Sequence, residues 1–286
     1  MKIGAMVESF RLGFRGGVEK AASLGIEGLQ AYATGGELDA STITKAEIKE
    51  KLDIVQSNGM VFSALCGDFG YGFDDPDRNA EFIEKSKRIL DLSGEFGCHI
   101  VTTHIAYVDP EECPRKEMMR KACRELAEYA DSVGSVFAIE TGIDHGKTLR
   151  EFLDSLGANG VRVNFDPANL VMCIDERPEE ALKYLGKYVA HTHAKDGIML
   201  KKKIAEKLAI GEEAKDHQAL VDMGNLYLEL PLGEGDVNFD VYLPALAATG
   251  YNGFLTIERE VGDNPAADIE LAVNFLKEKI EKFNLK

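Results

Sequence analysis

Short runs of apolar and β-branched residues alternate along the chain with longer amphipathic segments. The short runs are, in order, KIGAMV, GLQAYA, VFSALC, IVTTHI, VFAIET, VRVNFD, VAHTHA and FLTIER. Segments between them, such as GGVEKAASLG and TKAEIKEKLDIVQSNG, place apolar residues at helical spacing and carry a glycine near the end. This alternation predicts parallel strands joined by right-handed helical crossovers. Eight such units favour an α/β fold of the closed (β/α)8 TIM-barrel type over an open doubly wound sheet.

The whole chain, residues 1–286, is predicted to form one domain. No linker rich in Pro, Gly or Ser interrupts the pattern, and the last helix is expected in NPAADIELAVNFLKEKIEKF. One connection is much longer than the others, since residues 197–235 separate the seventh strand from the helix before the eighth. Long connections at the carboxyl ends of barrel strands usually carry function. We therefore predict that this long loop is a lid over the mouth of the barrel.

Composition limits the classes of partner. The chain has 286 residues and a formal net charge of −16, so nucleic acid would be repelled unless basic residues gathered on one face. The opening MKIGAMVESF lacks the apolar run of a signal peptide, and no stretch approaches the roughly 20 apolar residues that cross a bilayer. Five cysteines without C-x-x-C spacing suggest reduced thiols. We expect a cytoplasmic protein without a nucleic-acid or membrane partner, while homo-oligomerisation stays open.

Ionisable residues end four consecutive predicted strands. They are Glu140, Asp166, His193 and Glu258. In a (β/α)8 barrel the active site lies at the carboxyl ends of the strands, so these side chains are expected to converge. Each could instead be a buried acid paired with a neighbouring base. Three carboxylates without a cation would repel one another, whereas a divalent metal turns that repulsion into coordination.

The donor types suit a hard divalent cation. Three carboxylates and one imidazole favour Mn²⁺, Mg²⁺ or Co²⁺, while Zn²⁺ more often brings further histidine or cysteine. In VAHTHAKDG, alternate side chains share a face of the strand, so His191 lies on the same side as His193 and stays an alternative ligand.

Several segments resemble the xylose-isomerase-like barrels, a family of sugar phosphate isomerases and epimerases that also includes inosose dehydratases and apurinic endonucleases. They are GVEKAASLGIEGLQ, VFSALCGDFG, VFAIETG, VNFDPANL, HTHAKDG, LGEGDVNF and GYNGFLTIERE. The resemblance implies that Glu140, Asp166, His193 and Glu258 hold one divalent cation, with Mn²⁺ expected first and Mg²⁺, Co²⁺ or Zn²⁺ as alternatives. It also implies that His191 packs behind His193, and that Glu140 and Glu258 exchange the substrate proton on opposite faces of the sugar.

The expected chemistry is proton transfer next to a carbonyl group. A cation chelated by a carbonyl and an adjacent hydroxyl oxygen acidifies the carbon-bound proton between them and stabilises the enediolate. We therefore expect a metal-dependent isomerase or epimerase of a ketose, a sugar phosphate or a related keto-polyol. Loss of a β-hydroxyl from the same intermediate would make the enzyme a dehydratase of the inosose-dehydratase type. A non-catalytic sugar-binding barrel is a third alternative, while six histidines and the charge of −16 argue against the endonuclease branch.

The chain departs from the ketose 3-epimerases of that family. They carry a histidine three residues after the metal aspartate and an arginine six residues after the metal histidine, where this chain has Asn169 and Met199. The HTHAKD segment looks more like the general epimerase and inosose-dehydratase branches. Further candidates for contact with a sugar substrate are Lys195, His191, His104, His145, Asn169, Arg11 and Arg15. Their alternatives are pairing of Lys195 with Asp196, structural roles for the histidines and solvent exposure of the arginines.

Overall fold

The computed structural model describes residues 1–285, in which eight parallel strands close into a barrel. The ten strands in chain order are β1 (Lys2–Met6), β2 (Gly28–Tyr32), β3 (Val61–Cys66), β4 (Ile100–Thr103), β5 (Val136–Glu140), β6 (Val161–Phe165), β7 (Val189–Ala194), β8 (Asp196–Met199), β9 (Tyr227–Leu230) and β10 (Phe254–Ile257). Around the barrel the order is β1-β10-β7-β6-β5-β4-β3-β2, and β8 pairs with β9 in a separate antiparallel sheet. Each of the eight predicted runs contains one barrel strand, so the predicted fold is confirmed.

Helices follow the barrel strands and cover the outside of the barrel. They are α1 (Gly13–Leu24), α2 (Lys45–Ser57), α3 (Pro76–Glu95), α4 (Pro114–Val133), α5 (Gly146–Leu156), α6 (Pro167–Ile174), α7 (Pro178–Leu185), α8 (Leu200–Ala209), α9 (Lys215–Asp222), α10 (Phe239–Ala248) and α11 (Pro265–Lys282). Within residues 1–285, no helix combines the length and the apolar composition needed to cross a bilayer.

Helix ends are set by residues that the sequence pattern makes recognisable. The Thr44 hydroxyl and the Glu47 carboxylate form a capping box at the start of α2. Gly25 and Gly134 adopt φ values of 77° and 67° at the ends of α1 and α4, where a side chain would be strained. These caps fix where each helix turns back toward the next strand.

The hydrophobic core lies between the barrel and its helices, and it also fills the barrel interior toward the amino ends of the strands. Strands β2 to β7 are almost wholly buried, as expected for a parallel sheet covered on both faces. Polar side chains among these buried residues gather toward the carboxyl ends of the strands. The cysteines form no disulfide in the described part of the chain.

The long connection of residues 197–235 carries secondary structure of its own. It begins within β8, continues through α8 and α9, and returns along β9, with Asp196 opposite Leu230 in the antiparallel register. The Asp196 carboxylate accepts hydrogen bonds from the backbone N–H groups of Gly197, Gly233, Gly235 and Val237 at 2.9–3.1 Å. A side chain at Gly235 would collide with this carboxylate. One buried aspartate therefore joins both ends of the connection.

Candidate active site

The four residues that end consecutive strands converge at the carboxyl end of the barrel. Glu140 is the last residue of β5, Asp166 directly follows β6, His193 lies near the end of β7, and Glu258 directly follows β10. Because β5, β6, β7 and β10 are neighbours in the barrel, the four side chains reach the same space. We call these residues the acidic quartet.

One ligand atom from each member of the acidic quartet lies within 4.8 Å of the other three. The Nδ1 atom of His193 is 3.2 Å from Glu258 Oε2, 3.3 Å from Asp166 Oδ2 and 3.6 Å from Glu140 Oε1. Octahedral coordination at about 2.1 Å places adjacent donor atoms about 3.0 Å apart and opposite ones about 4.2 Å apart. The spacing of the quartet is therefore close to that of a shell around one divalent ion.

Asp166 has two tasks at this point of the chain. Its Oδ1 atom caps α6 by accepting hydrogen bonds from the backbone N–H groups of Ala168 and Asn169 at 2.8 and 3.0 Å. Its Oδ2 atom faces His193. The first turn of α6 thus fixes the orientation of the carboxylate, because Asp166 is the single residue between the end of the strand and Pro167, which begins the helix.

The orientation of the His193 ring is set from the opposite side of the barrel. Its Nε2 atom lies 3.1 Å from Oε1 of Gln30 on β2, and the Gln30 amide group donates to the Thr102 hydroxyl at 2.9 Å. The Asn164 Nδ2 atom lies 3.2 Å from the same Nε2 atom. Because Gln30 Oε1 can only accept a hydrogen bond, its contact favours a proton on Nε2, which leaves Nδ1 to face the carboxylates. All four residues are buried. Gln30 is not among the site residues that the sequence pattern predicts.

His191 packs behind His193, with the two ring centroids 5.8 Å apart. Its Nδ1 atom lies 2.9 Å from Asn164 Oδ1, and its Nε2 atom lies 3.0 Å from the Thr256 hydroxyl. Burial, together with the neighbouring His193, holds the pKa of His191 well below its ordinary value. His191 is therefore a neutral ring with both nitrogens hydrogen-bonded outside the quartet.

Charge is strongly coupled within the acidic quartet. Burial opposes a charged His193, but the carboxylates of Glu258 and Glu140 outweigh it and hold the pKa of His193 well above its ordinary value. Burial likewise opposes ionisation of Glu258, but His193 and Lys195 outweigh it and lower the pKa of Glu258. The quartet is an anionic centre that favours a positive charge in its middle.

A cavity of about 300 Å³ opens above the quartet. Glu140, Glu258, Lys195, Asn169 and His104 line it. Lys195 Nζ donates to Glu258 Oε2 at 2.9 Å and also contacts Glu260, rather than pairing with Asp196.

His104 and Asn169 both approach Glu140 in this cavity. Asn169 Nδ2 donates to Glu140 Oε1 at 3.0 Å, and His104 Nε2 lies 3.6 Å from the same oxygen. The other ring nitrogen of His104 lies 2.9 Å from Asp68 Oδ2. Burial opposes a charged ring here, but Glu140 and Asp68 outweigh it and raise the pKa of His104 to about 9.

Three other candidates lie outside the cavity. Arg11 donates to the backbone carbonyls of Glu260 and Gly262 at 2.9 and 3.1 Å. The Arg15 side chain is 63% exposed, with Glu50 at 3.9 Å. His145 precedes α5, and its exposed ring lies 3.2 Å from Glu176 Oε2. Each of these side chains sits on the surface with a local partner.

The cavity wall also contains residues that are not among the predicted site residues. They include Tyr32, Cys66, Asp68, Asp144, Tyr227 and Glu260. Tyr32, Cys66 and Asp68 lie at or just after the ends of β2 and β3, so the rule applied to the later strands would have found them. Tyr227 begins β9 in the long connection, where no local sequence signal indicates a cavity wall.

The model of the xylose isomerase-like TIM barrel family matches residues 18–279. None of the curated protein sequences compared with the chain matches it significantly. The structure is similar to a xylose isomerase domain protein from Planctomyces limnophilus, with 23% identity, a TM-score of 0.79, and 99% of this chain and 98% of that chain covered.

Two further solved structures share the fold. The probable 3-DHS dehydratase AsbF from Bacillus anthracis has 18% identity and a TM-score of 0.74, with 97% of this chain and 99% of that chain covered. D-psicose 3-epimerase from Clostridium cellulolyticum has 17% identity and a TM-score of 0.73, with 98% and 99% covered. The family match extends over most of the sequence, and these structures have the same architecture. The chain belongs to the xylose isomerase-like TIM barrel family.

Proposed function

We propose that the protein is a divalent-metal-dependent isomerase or epimerase acting on a ketose, a sugar phosphate or a related keto-polyol. The observation that carries this proposal is the acidic quartet, whose donor atoms lie within 4.8 Å of one another below a cavity of about 300 Å³. Buried carboxylates at this spacing are stable together only when positive charge lies between them. A sugar-binding barrel without catalysis would have little need for such a centre.

The donor set fits a hard cation. Glu140, Asp166 and Glu258 supply oxygen atoms, and His193 supplies a neutral nitrogen through the ring orientation that Gln30 favours. This set suits Mn²⁺ first, with Mg²⁺ and Co²⁺ as close alternatives, because Zn²⁺ sites more often contain cysteine or several histidines. When bound, the cation would polarise the substrate carbonyl and stabilise negative charge on the enediolate oxygens.

The proton-transfer roles fall to Glu140 and Glu258. They come from β5 and from the end of β10, with β6 and β7 between them, so their carboxylates approach the cavity from different sides. Asn164 and Asn169 donate to the two oxygens of Glu140 at 2.9 and 3.0 Å and fix its orientation. Lys195 does the same for Glu258. One glutamate removes the proton next to the carbonyl, and the other returns it from the opposite face.

The wall of the cavity would hold the rest of the sugar. Asn169 and the His104–Asp68 pair present hydrogen-bonding groups beside Glu140. His145, Arg11 and Arg15 have no part in this proposal, because they lie on the surface with other partners. His191 contributes by packing behind His193.

A dehydratase is the second candidate. Elimination of a β-hydroxyl needs an acid close to the leaving oxygen, and Lys195 places an ammonium group in the same cavity wall. The fold shared with the Bacillus anthracis dehydratase is compatible with this reaction but does not select it. The two reactions differ in product, so one experiment separates them.

The test is turnover of ketoses, ketose phosphates and inososes followed by NMR in deuterium oxide, with Mn²⁺, with Mg²⁺ and with EDTA. Epimerisation or isomerisation should place deuterium on the carbon next to the carbonyl, because the removed proton exchanges before its return. Dehydration should instead give an unsaturated or deoxy product. Metal-independent turnover, or no metal in the purified protein and none taken up on titration, would contradict the proposal.

We also propose that residues 197–235 form a lid on the single barrel domain. Tyr227 of this connection lines the cavity, whereas α9 has no buried side chain and the Asp196 carboxylate fixes only the base. We therefore expect the segment around α9 to move while the base of the connection stays anchored. The expected partner is a small sugar, since a net charge of −16 disfavours nucleic acid.

A further inference from the structure

We infer that the substrate is an uncharged polyhydroxylated carbonyl compound, a free sugar or keto-polyol, and that phosphorylated and carboxylated analogues are rejected. This inference rests on the proposed function, because it concerns the substrate of the same cavity. The inference is carried by the chemistry of the cavity wall. The carboxylates of the wall can accept hydrogen bonds from hydroxyl groups, and its cationic side chains are already paired with acids.

Three carboxylates outside the acidic quartet line the cavity. They belong to Asp68, Asp144 and Glu260. Asp68 accepts the Gly70 N–H group at 2.8 Å, and Asp144 accepts the Val108 N–H group at 2.9 Å, so both are held in place. A carboxylate has more lone pairs than these contacts use. Hydroxyl groups of a sugar can therefore donate to this part of the wall.

The basic side chains in the wall are shared among several acids. Lys195 contacts Glu258, Glu260 and, at 3.9 Å, Glu229, whereas His104 lies between Asp68 and Glu140. A divalent ion at the quartet and the Lys195 ammonium group would supply three positive charges to a cavity bordered by six carboxylates. A phosphate group would bring roughly 1.5 to 2 further negative charges into this space. Coulomb repulsion there is stronger than in water, because the surroundings are partly dry.

The two arginines predicted as candidate substrate contacts, Arg11 and Arg15, are engaged outside the cavity. Arg11 donates to two backbone carbonyls, and Arg15 lies on the surface near Glu50.

The size of the cavity agrees with a single unmodified sugar. Its 300 Å³ corresponds to about ten water molecules, close to the roughly twelve non-hydrogen atoms of a hexose.

The experiment compares matched pairs on the Mg²⁺-loaded protein: D-fructose with D-fructose 6-phosphate, and D-tagatose with D-tagatose 6-phosphate. Binding is measured by saturation-transfer NMR, and turnover by deuterium incorporation. The free sugars should bind and react at least about tenfold better than their phosphates. Asp144→Asn and Glu260→Gln should lower this preference, expressed as the ratio of the free sugar to its phosphate in binding and in turnover. Glu50→Gln, which removes one charge outside the cavity, should leave the ratio unchanged.

The two proposals fail in different ways. Binding of a sugar phosphate that equals or exceeds binding of the matching free sugar would overturn the charge inference. Turnover of that sugar phosphate would leave the proposed reaction intact. Binding of free sugars alone without proton exchange or dehydration would support the charge inference and contradict the proposed reaction. Binding of neither member of any pair would overturn both. A ratio that stays constant in Asp144→Asn and Glu260→Gln would show that the wall carboxylates do not cause the selectivity.

Discussion

Replacing Gln30 should weaken metal binding even though Gln30 is not one of the proposed ligands. Its Oε1 atom lies 3.1 Å from His193 Nε2, where it can accept a hydrogen bond from the ring N–H group, and both side chains are buried. In Gln30→Met this N–H group loses its acceptor in a dry environment, which costs about 1–3 kcal/mol. This cost destabilises the form of the His193 ring that has its proton on Nε2 and presents Nδ1 to the cation. Affinity for Mn²⁺ should therefore fall about 10- to 100-fold, the range typical of groups that orient a ligand.

Isothermal titration calorimetry with Mn²⁺ measures this effect, and unfolding in urea shows whether the variant is folded. Gln30→Glu keeps an acceptor oxygen and should bind Mn²⁺ more tightly than Gln30→Met. Gln56→Met makes the same substitution on the exposed face of α2 and should bind as the parent does. His193→Ala should lose the metal altogether. Unchanged affinity in a folded Gln30→Met protein would refute the view that Gln30 sets the ring orientation.

Three further predictions concern catalysis, stability and the lid. Glu140→Gln and Glu258→Gln each keep an oxygen donor but lose the basic carboxylate, so turnover should fall about 100-fold or more while metal content measured by mass spectrometry is largely retained. Asp196→Asn should lower the free energy of unfolding at pH 7 by about 1–3 kcal/mol, because an amide cannot accept all four N–H groups. Burial raises the pKa of Asp196 to about 6 from an ordinary value of 3.8, so the folded state takes up a proton before the unfolded state does. The contribution of Asp196 to the free energy of unfolding should thus rise as pH falls from 6 toward 4, and Asp196→Asn should lack this rise in urea titrations. Bound substrate should slow proteolysis within residues 197–235.

Each of these predictions has a result that contradicts it. Near-normal turnover of a metal-loaded Glu140→Gln protein would assign proton transfer to another group, with His104 and Lys195 the next candidates in the cavity. A parallel pH dependence of unfolding in the parent and Asp196→Asn proteins would show that Asp196 does not titrate in this window. Equal rates of proteolysis with and without substrate would argue against a moving lid.

The sequence predicts the barrel and the acidic quartet because both depend on local order along the chain. Apolar runs at regular intervals mark the strands, and a charged side chain at the end of such a run must emerge at the same mouth as its neighbours. His193 is recognisable for this reason, because it lies at the end of an apolar strand and on a defined face.

Contacts between distant segments were beyond the reach of the sequence pattern. Gln30 and His193 are 163 positions apart in the chain, and nothing around Gln30 distinguishes it from any other polar residue in a strand. Arg11 shows the opposite case, since a residue in a suitable loop turns to backbone carbonyls instead of the cavity. Tyr227 reaches the cavity only because β9 returns beside β8. Such placements depend on tertiary packing, which side-chain type and spacing do not encode locally.

The segment from His191 to Asp196 concentrates four different tasks in six residues. Alternate positions in and just beyond β7 place His191 behind the quartet, His193 in it and Lys195 in the cavity wall, while Asp196 anchors the long connection. A strand with its side-chain period of two makes this possible, because successive odd positions lie on one face at increasing height. A backbone shift at any one of these positions would move the others. Substitutions within this segment should therefore combine non-additively, in contrast to changes at separated sites such as Gln30 and Asp144.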